Sequence, residues 1–360
     1  MRKCRQCDFP RKFARFFDWR SDGTIISTDS SRTRSQITFL EAGELESLFR
    51  DLSETIGVNI DRFLIQAQKN IGKAVYANLP IRHMKRVPDN RFFRPQWLAR
   101  LLVRAIATDI AGLGDGRVSL DRYVAGKTLV VRFKDPVVST LLVGSLAGIY
   151  ESIEEMPSSS VDYRNENGDL VVILTHGAER PEEQERLYLE EVKAGEGPLV
   201  WDRCCDCRVP VEAARTFSWD IDRGMISNRQ TGERDVVVAV QSVNAILREL
   251  EAELGEDVAQ LVYDHQKAFT LKDLEGAAAD DSGAFLNKQL MDMALRGLGY
   301  PATFDFDGAS VSVAITNAYN QVLYAAKIAA ALEKVTGKAS DVAWEKREPD
   351  DSVYSITTAP

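Results

Sequence analysis

The sequence lacks any run of 18 or more apolar residues, so no stretch reads as a membrane-spanning helix. It lacks the apolar core of a secretory signal as well. Met1-Arg2-Lys3-Cys4 leads into Arg, Gln and Asp, and a cytoplasmic location is expected. None of the compact catalytic fingerprints occurs: no G-x-S-x-G, H-E-x-x-H, P-loop or dinucleotide glycine pattern. Gly112-Leu113-Gly114-Asp115-Gly116 ends a helical pattern and precedes a strand, so it reads as a C-cap and turn, not a phosphate cradle. The absences point away from an enzyme. The remaining composition, 44% hydrophobic and 28% charged over 360 residues, is that of a soluble chain of two or three domains.

Cysteine is sparse but placed. Four of the five cysteines form two C-x-x-C pairs, Cys4/Cys7 and Cys204/Cys207, which in an intracellular chain suggests metal or redox chemistry before disulfides. The stretch around each pair is written twice. Cys4, Cys7, Pro10, Ala14, Arg15, Phe17, Trp19, Asp22, Ile26, Ser27 and Arg34 recur 200 positions later. Later segments repeat at offsets of 198 (Arg50, Leu52, Gly57, Gln68, Lys69) and 182 (Gly126 to Ser158 on Gly308 to Ser340). A period near 200 is too long for a solenoid and fits a duplicated domain.

Each copy reads in the same order. Apolar alternation between Trp19 and Thr38, broken at Asp22-Gly23, predicts a hairpin. Leu45, Leu48, Leu52 and Ile56 recur at helical spacing, predicting a helix over 42–77 broken near Gly57. A second helix is predicted at 96–113 and 285–298, strands at 117–133 and 302–315, then a helix of small residues (Val143 to Gly148; Ala325 to Ala330) and a closing strand pair. The predicted class is α+β: two tandem copies of a helix pair on an antiparallel sheet, each behind a CxxC-hairpin module. The expected division is 1–38 module, 39–176 domain, 177–203 linker, 204–236 module and 237–360 domain.

The layout, with Leu129-Val130-Val131-Arg132-Phe133, then Pro136, then the small-residue helix Leu141 to Tyr150, resembles the 4-vinyl reductase domain, a relative of the TRAPP tethering subunits and the haem-based nitric-oxide-sensing domains. Copy two carries the same features with Ala318 in place of Pro136. Two departures stand out: the closing strand pairs, Val161 to Thr175 and Val342 to Thr357, hold no Cys or His, and the CxxC modules lie outside the basic domain. The resemblance implies a sensor or binder of an apolar or amphipathic small molecule. The pocket it implies lies between helices and sheet, near Phe63, Leu98, Leu101, Leu141 and Leu146. A haem on the nitric-oxide-sensing pattern needs an axial His on a helix; of three histidines only His265 lies in a helical stretch, and copy one has Ala67 there, so haem is not expected. The tethering subunits offer a different reading, a protein-interaction scaffold, and a thiol-redox or reductase accessory role is a third.

The sharpest site is the thiol set. A C-x-x-C turn aims two thiolates at one ion, and structural zinc takes four ligands. Each copy supplies two, so Cys4, Cys7, Cys204 and Cys207 together complete a site for Zn²⁺ that clamps the copies. Metal sites in each copy or between chains (a homodimer), a redox pair, and inert thiols are the alternatives. Cys205 reads as packing. Phe17, Trp19, Phe217 and Trp219 read as core of the modules. The basic run Arg82, Lys85, Arg86, Arg91 and Arg94 is a solvated or docking face, or an anion site; nucleic acid is disfavoured by the acidic pI of about 5.1. Residues 1–176 carry +5 and the remainder −14, so the copies attract, screened by salt.

Overall fold

The computed structural model describes residues 1–28, 34–76, 106–124, 126–177, 195–255, 257–347 and 351–358. In the first half, a turn of helix α1 (Phe13–Phe16) leads into strands β1 (Phe17–Trp19), β2 (Ile25–Thr28) and β3 (Arg34–Glu41). Helices α2 (Ala42–Ile56) and α3 (Asp61–Tyr76) follow. After the helical residues 106–113 come β4 (Arg117–Val124), β5 (Thr128–Lys134), helix α4 (Ser139–Glu154), β6 (Ser159–Glu166) and β7 (Asp169–His176).

The second half runs in the same order. It comprises α5 (Val211–Thr216), β8 (Phe217–Asp220), β9 (Met225–Asn228), β10 (Arg234–Ala239), α6 (Val240–Leu254) and α7 (Asp257–Asp273). It continues through α8 (Ser282–Leu295), β11 (Tyr300–Phe306), β12 (Ser310–Thr316), α9 (Gln321–Thr336), β13 (Ser340–Arg347) and β14 (Asp351–Thr358). Among the described residues no helix is long and apolar enough to cross a membrane.

Local chemistry places these boundaries. Leu45, Leu48, Phe49 and Leu52 give α2 one buried face, and Gly57 ends it in the left-handed conformation (φ 72°) with its N–H on Ser53 O. Asn320 caps α9 by accepting from Leu323 N, and Asp281 caps α8 by accepting from Ala284 N. Alternation buries Leu129, Val131 and Phe133 of β5, and Val311, Val313 and Ile315 of β12. Each half thus carries an antiparallel four-stranded sheet, ordered β4-β5-β7-β6 and β11-β12-β14-β13.

The third sheet joins the halves. Its order is β1-β2-β3-β10-β9-β8, and β3 pairs with β10 antiparallel about Phe39↔Val237. Those two residues occupy matching positions in the two copies at offset 198, so an approximate twofold axis passes between them. Contacts across it are reciprocal. Trp19 Nε1–H donates to Leu295 O (2.9 Å), and Trp219 Nε1–H donates to Gly112 O (3.0 Å). Lys3 Nζ reaches Trp219 O, and Arg203 reaches Trp19 O. The hairpin tips cross too: Gly299 N–H bonds Gly23 O, and Gly116 N–H bonds Gly224 O. Both tip glycines have positive φ, and a Cβ would stand 2.6 Å from Gly299 C in one case and 2.2 Å from Gly116 C in the other. Helix α2 packs on α7 and α6 on α3, so each half covers part of the other. The largest hydrophobic core accordingly draws on both halves, including Leu45, Leu52, Val243, Leu250, Tyr324 and Ile356.

Small residues let the helices approach closely. A Cβ on Gly144 would lie 2.5 Å from Ile65 O, and one on Gly148 would lie 2.2 Å from Lys69 O, so α4 lies backbone-to-backbone on α3. One polar staple recurs in both halves. Buried Glu151 accepts from Ser159 N (2.7 Å) and Oγ (2.8 Å) and pairs with Lys69 (2.8 Å). Glu333 does the same with Ser340 (2.7 and 2.8 Å) and Lys267 (3.1 Å). Glu151→Ala strands the Lys69 ammonium, whose side chain is 9% exposed, and is expected to lower unfolding free energy by about 3–5 kcal/mol in urea titration. A loss under about 1 kcal/mol, the surface-pair value, would show that the staple carries no such weight.

Candidate functional site

The two C-x-x-C turns fold alike and face each other. Cys4 N–H bonds Phe9 O and Asp8 N–H bonds Cys4 O; Cys204 N–H bonds Val209 O and Arg208 N–H bonds Cys204 O. Asp8 (φ 59°) and Arg208 (φ 68°) turn the chain through the left-handed region just past the second cysteine. A single bridge closes each loop, Lys3↔Pro10 and Arg203↔Pro210. Beneath them Phe9, Trp19, Phe39, Phe217 and Trp219 form one shared aromatic cluster, with Phe39 and Phe217 stacked at 4.3 Å between centroids. The expectation that the repeated Trp and Phe residues are core holds, but the core belongs to both modules together.

This floor brings the four sulfurs together. Cys4 Sγ lies 3.9 Å from Cys204 Sγ, Cys7 Sγ lies 3.3 Å from Cys207 Sγ, and all four are within 4.8 Å of one another. Four thiolates 2.3 Å from a central zinc stand about 3.8 Å apart, so spacing and donor set fit a Cys₄ zinc site. Cross-copy polar contacts flank the quartet: Cys4 Sγ donates to Asp206 Oδ2 (3.3 Å), and Cys204 Sγ to Gln6 Oε1 (3.3 Å). Arg11 pairs with Asp206 at 2.5 Å. Burial pushes the Cys7 thiol far up and Cys207 up to about 11. Burial opposes ionisation of Cys204 too, but the Cys207 and Asp206 N–H groups outweigh it and bring that thiol down to about 7. A cation among the sulfurs would offset the burial that disfavours the Cys7 and Cys207 thiolates. Cys205 is exposed, with its Sγ on Gln6 Oε1 (2.8 Å), not packed as expected.

The other expected site residues scatter. Phe63 and Leu141 pack against the large core, whereas Leu146 lies in a separate cluster with Phe133, Val143, Tyr150 and Leu174. Leu98, Leu101 and the basic residues Arg82, Lys85, Arg86, Arg91 and Arg94 lie outside the described residues. An open groove of about 450 Å³ runs between α2, α3 and the start of α4, past Phe49, Leu64 and Val138.

Sequence reasoning missed a second feature. A partly enclosed cavity of about 70 Å³ lies between β3 and α2 of the first half and α7, α8 and α9 of the second. Glu41, Glu44, Asp273, Asp292, Arg296 and Lys327 line its polar side. Lys327 pairs with Glu44 (2.8 Å); Arg296 pairs with Asp292 (2.8 Å) and with Asp235 (2.7 Å), which is wholly buried. The legible signal was Lys327 inside the Ala-rich run Ala325 to Ala331, where copy one has Ser145.

Burial, then the Asp273 carboxylate, pushes Glu41 from an ordinary 4.5 up to about 7; burial also raises Asp273. At Glu41 the folded state therefore holds a proton that the unfolded chain releases, so the contribution of this group to stability is full below pH 4.5 and is lost as pH rises through about 7. Glu41→Gln is expected to flatten that decline in urea titrations and to raise unfolding free energy at pH 8 by on the order of 2 kcal/mol. An unchanged slope would show that Glu41 ionises freely.

No family model and no curated protein matches the chain. Among solved structures, the phenol-responsive sensory domain of the transcription activator PoxR with phenol is similar at 14% identity and a TM-score of 0.34, over 41% of this chain and 87% of that one. A score of that size supports no inference about function.

Proposed function

We propose that this protein is a non-enzymatic small-molecule-binding or sensor protein. In this reading it is a tandem duplication of a 4-vinyl-reductase-like domain (39–176 and 237–360), each copy behind its CxxC-hairpin module, folded as an intrachain pseudodimer and clamped by one structural zinc. The observation that carries the clamp is the convergence of Cys4, Cys7, Cys204 and Cys207, two from each module, within 4.8 Å. The shared sheet, the reciprocal tryptophan bonds and the joint aromatic floor support a pseudodimer. The cavity walled by both halves supports ligand binding.

Zinc here supplies charge and a fixed tetrahedral anchor. Its binding counts toward docking of the halves because the ligands come together only in the folded chain. Each half also has apolar side chains of its own to bury, so loss of metal is expected to loosen the modules without unfolding the protein.

Cys7→Ser is expected to reduce zinc from one per chain to near zero and to speed proteolysis between residues 182 and 198, with Cys205→Ser changing neither. Metal analysis and limited proteolysis check this. One zinc retained by Cys7→Ser, through the second pair alone, would contradict a shared clamp. Native mass spectrometry after mild extraction tests the binding role: a retained small molecule is expected. A chain with nothing retained and no response to small-molecule probes contradicts it.

A further inference from the structure

We propose that the cavity between the halves binds a small organic cation, of the alkylammonium class. The inference rests on the reading of the chain as a small-molecule binder and specifies its ligand. The first ground is charge. Lys327 is matched by Glu44, and Arg296 is shared by Asp292 and Asp235. Glu41 and Asp273, on opposite walls of the same cavity, have no ion-pair partner among the described residues. Behind Arg296, Asp235 is 0% exposed, and its Oδ2 has no hydrogen-bond partner. Five carboxylates, Glu41, Glu44, Asp235, Asp273 and Asp292, thus surround one guanidinium and one ammonium, a surplus of negative charge that a bound cation balances.

The second ground is shape and lining. The rest of the lining is mostly apolar, with Phe269, Leu274, Met293 and Leu298 beside the polar Thr270 and Gln289. At about 70 Å³ the space takes a few waters or a ligand of a few heavy atoms. An ammonium head fits between the carboxylates, and its alkyl tail fits the apolar part of the lining. A divalent metal does not fit as well. Among the described residues the group whose ligand atoms converge on a point is the thiol quartet, not these carboxylates. The symmetry-related place does not repeat these charges: Ala239 and Ser242 of the second half and Ser145 of the first stand where Glu41, Glu44 and Lys327 stand here.

Saturation-transfer NMR on the full chain at pH 8 and fixed ionic strength tests the assignment. The probes are n-propylammonium, n-propanol and propionate. Saturable binding of n-propylammonium is expected, at least tenfold tighter than that of the alcohol or the acid. Glu41→Gln and Asp273→Asn are each expected to weaken it at least tenfold; both remove buried charge, and urea titration of the same samples confirms that they fold. Absence of saturable n-propylammonium binding, equal binding of n-propanol, or binding unchanged in both variants overturns the inference. Native mass spectrometry after mild extraction keeps this inference apart from the reading it rests on. A retained small molecule without n-propylammonium binding leaves the binder reading standing and this inference lost; neither retained ligand nor probe binding loses both.

Discussion

The pairing of strand 34–41 with strand 234–239 is the contact on which the rest of the molecule depends. Centred on Phe39 and Val237, it fuses two three-stranded ribbons into one six-stranded sheet and fixes how the halves face each other. A one-residue slip would exchange the two faces of each strand, moving Phe39 out of the aromatic floor and Leu40 out of the helical core. The consequences run both ways from this strand pair. On one face the aromatic cluster seats the C-x-x-C turns so that their thiols meet. On the other, β3 and α2 close a cavity against the helices of the second half.

Much of this was legible in the sequence because rare residues recur in the two halves. Recurrence at offsets of 200, 198 and 182, with apolar alternation and helical spacing, gave the order of elements, the hairpins and the break at Gly57. The recurrence also identified the four thiols as one set. The exchange across the axis was not legible. That Trp19 bonds Leu295, and not a group in its own half, follows from the register of β3 on β10, which no local pattern encodes. The charged cavity was hidden for a related reason. Glu41 sits at a strand end, Asp273 at a helix end and Arg296 just past another, and only tertiary packing brings them to one space. Leu146 shows the converse. Its apolar character was plain, but backbone contact between α3 and α4 places it in a packed core.

The two halves share a framework and differ in what they add to it. The Lys–Glu–Ser staple recurs in both, as expected of a feature that holds a helix onto its sheet. The charges around the cavity occur once. Burying Glu41 and Asp273 near one another costs stability, which the large joint core offsets. A cost borne at one of two matching places points to one specialised contact between the halves. The surplus of negative charge in the second half, −14 against +5, has the same sign as the cavity's imbalance.

The central claim is that one ion joins the halves through four sulfurs. X-ray absorption at the zinc edge on the purified full chain, with zinc quantified per chain, tests it most directly. The account expects one zinc per chain with a first shell of four sulfurs at about 2.3 Å. Two zinc ions per chain, or a mixed shell of two sulfurs with nitrogen or oxygen, would contradict it, because each C-x-x-C pair would then hold its own metal.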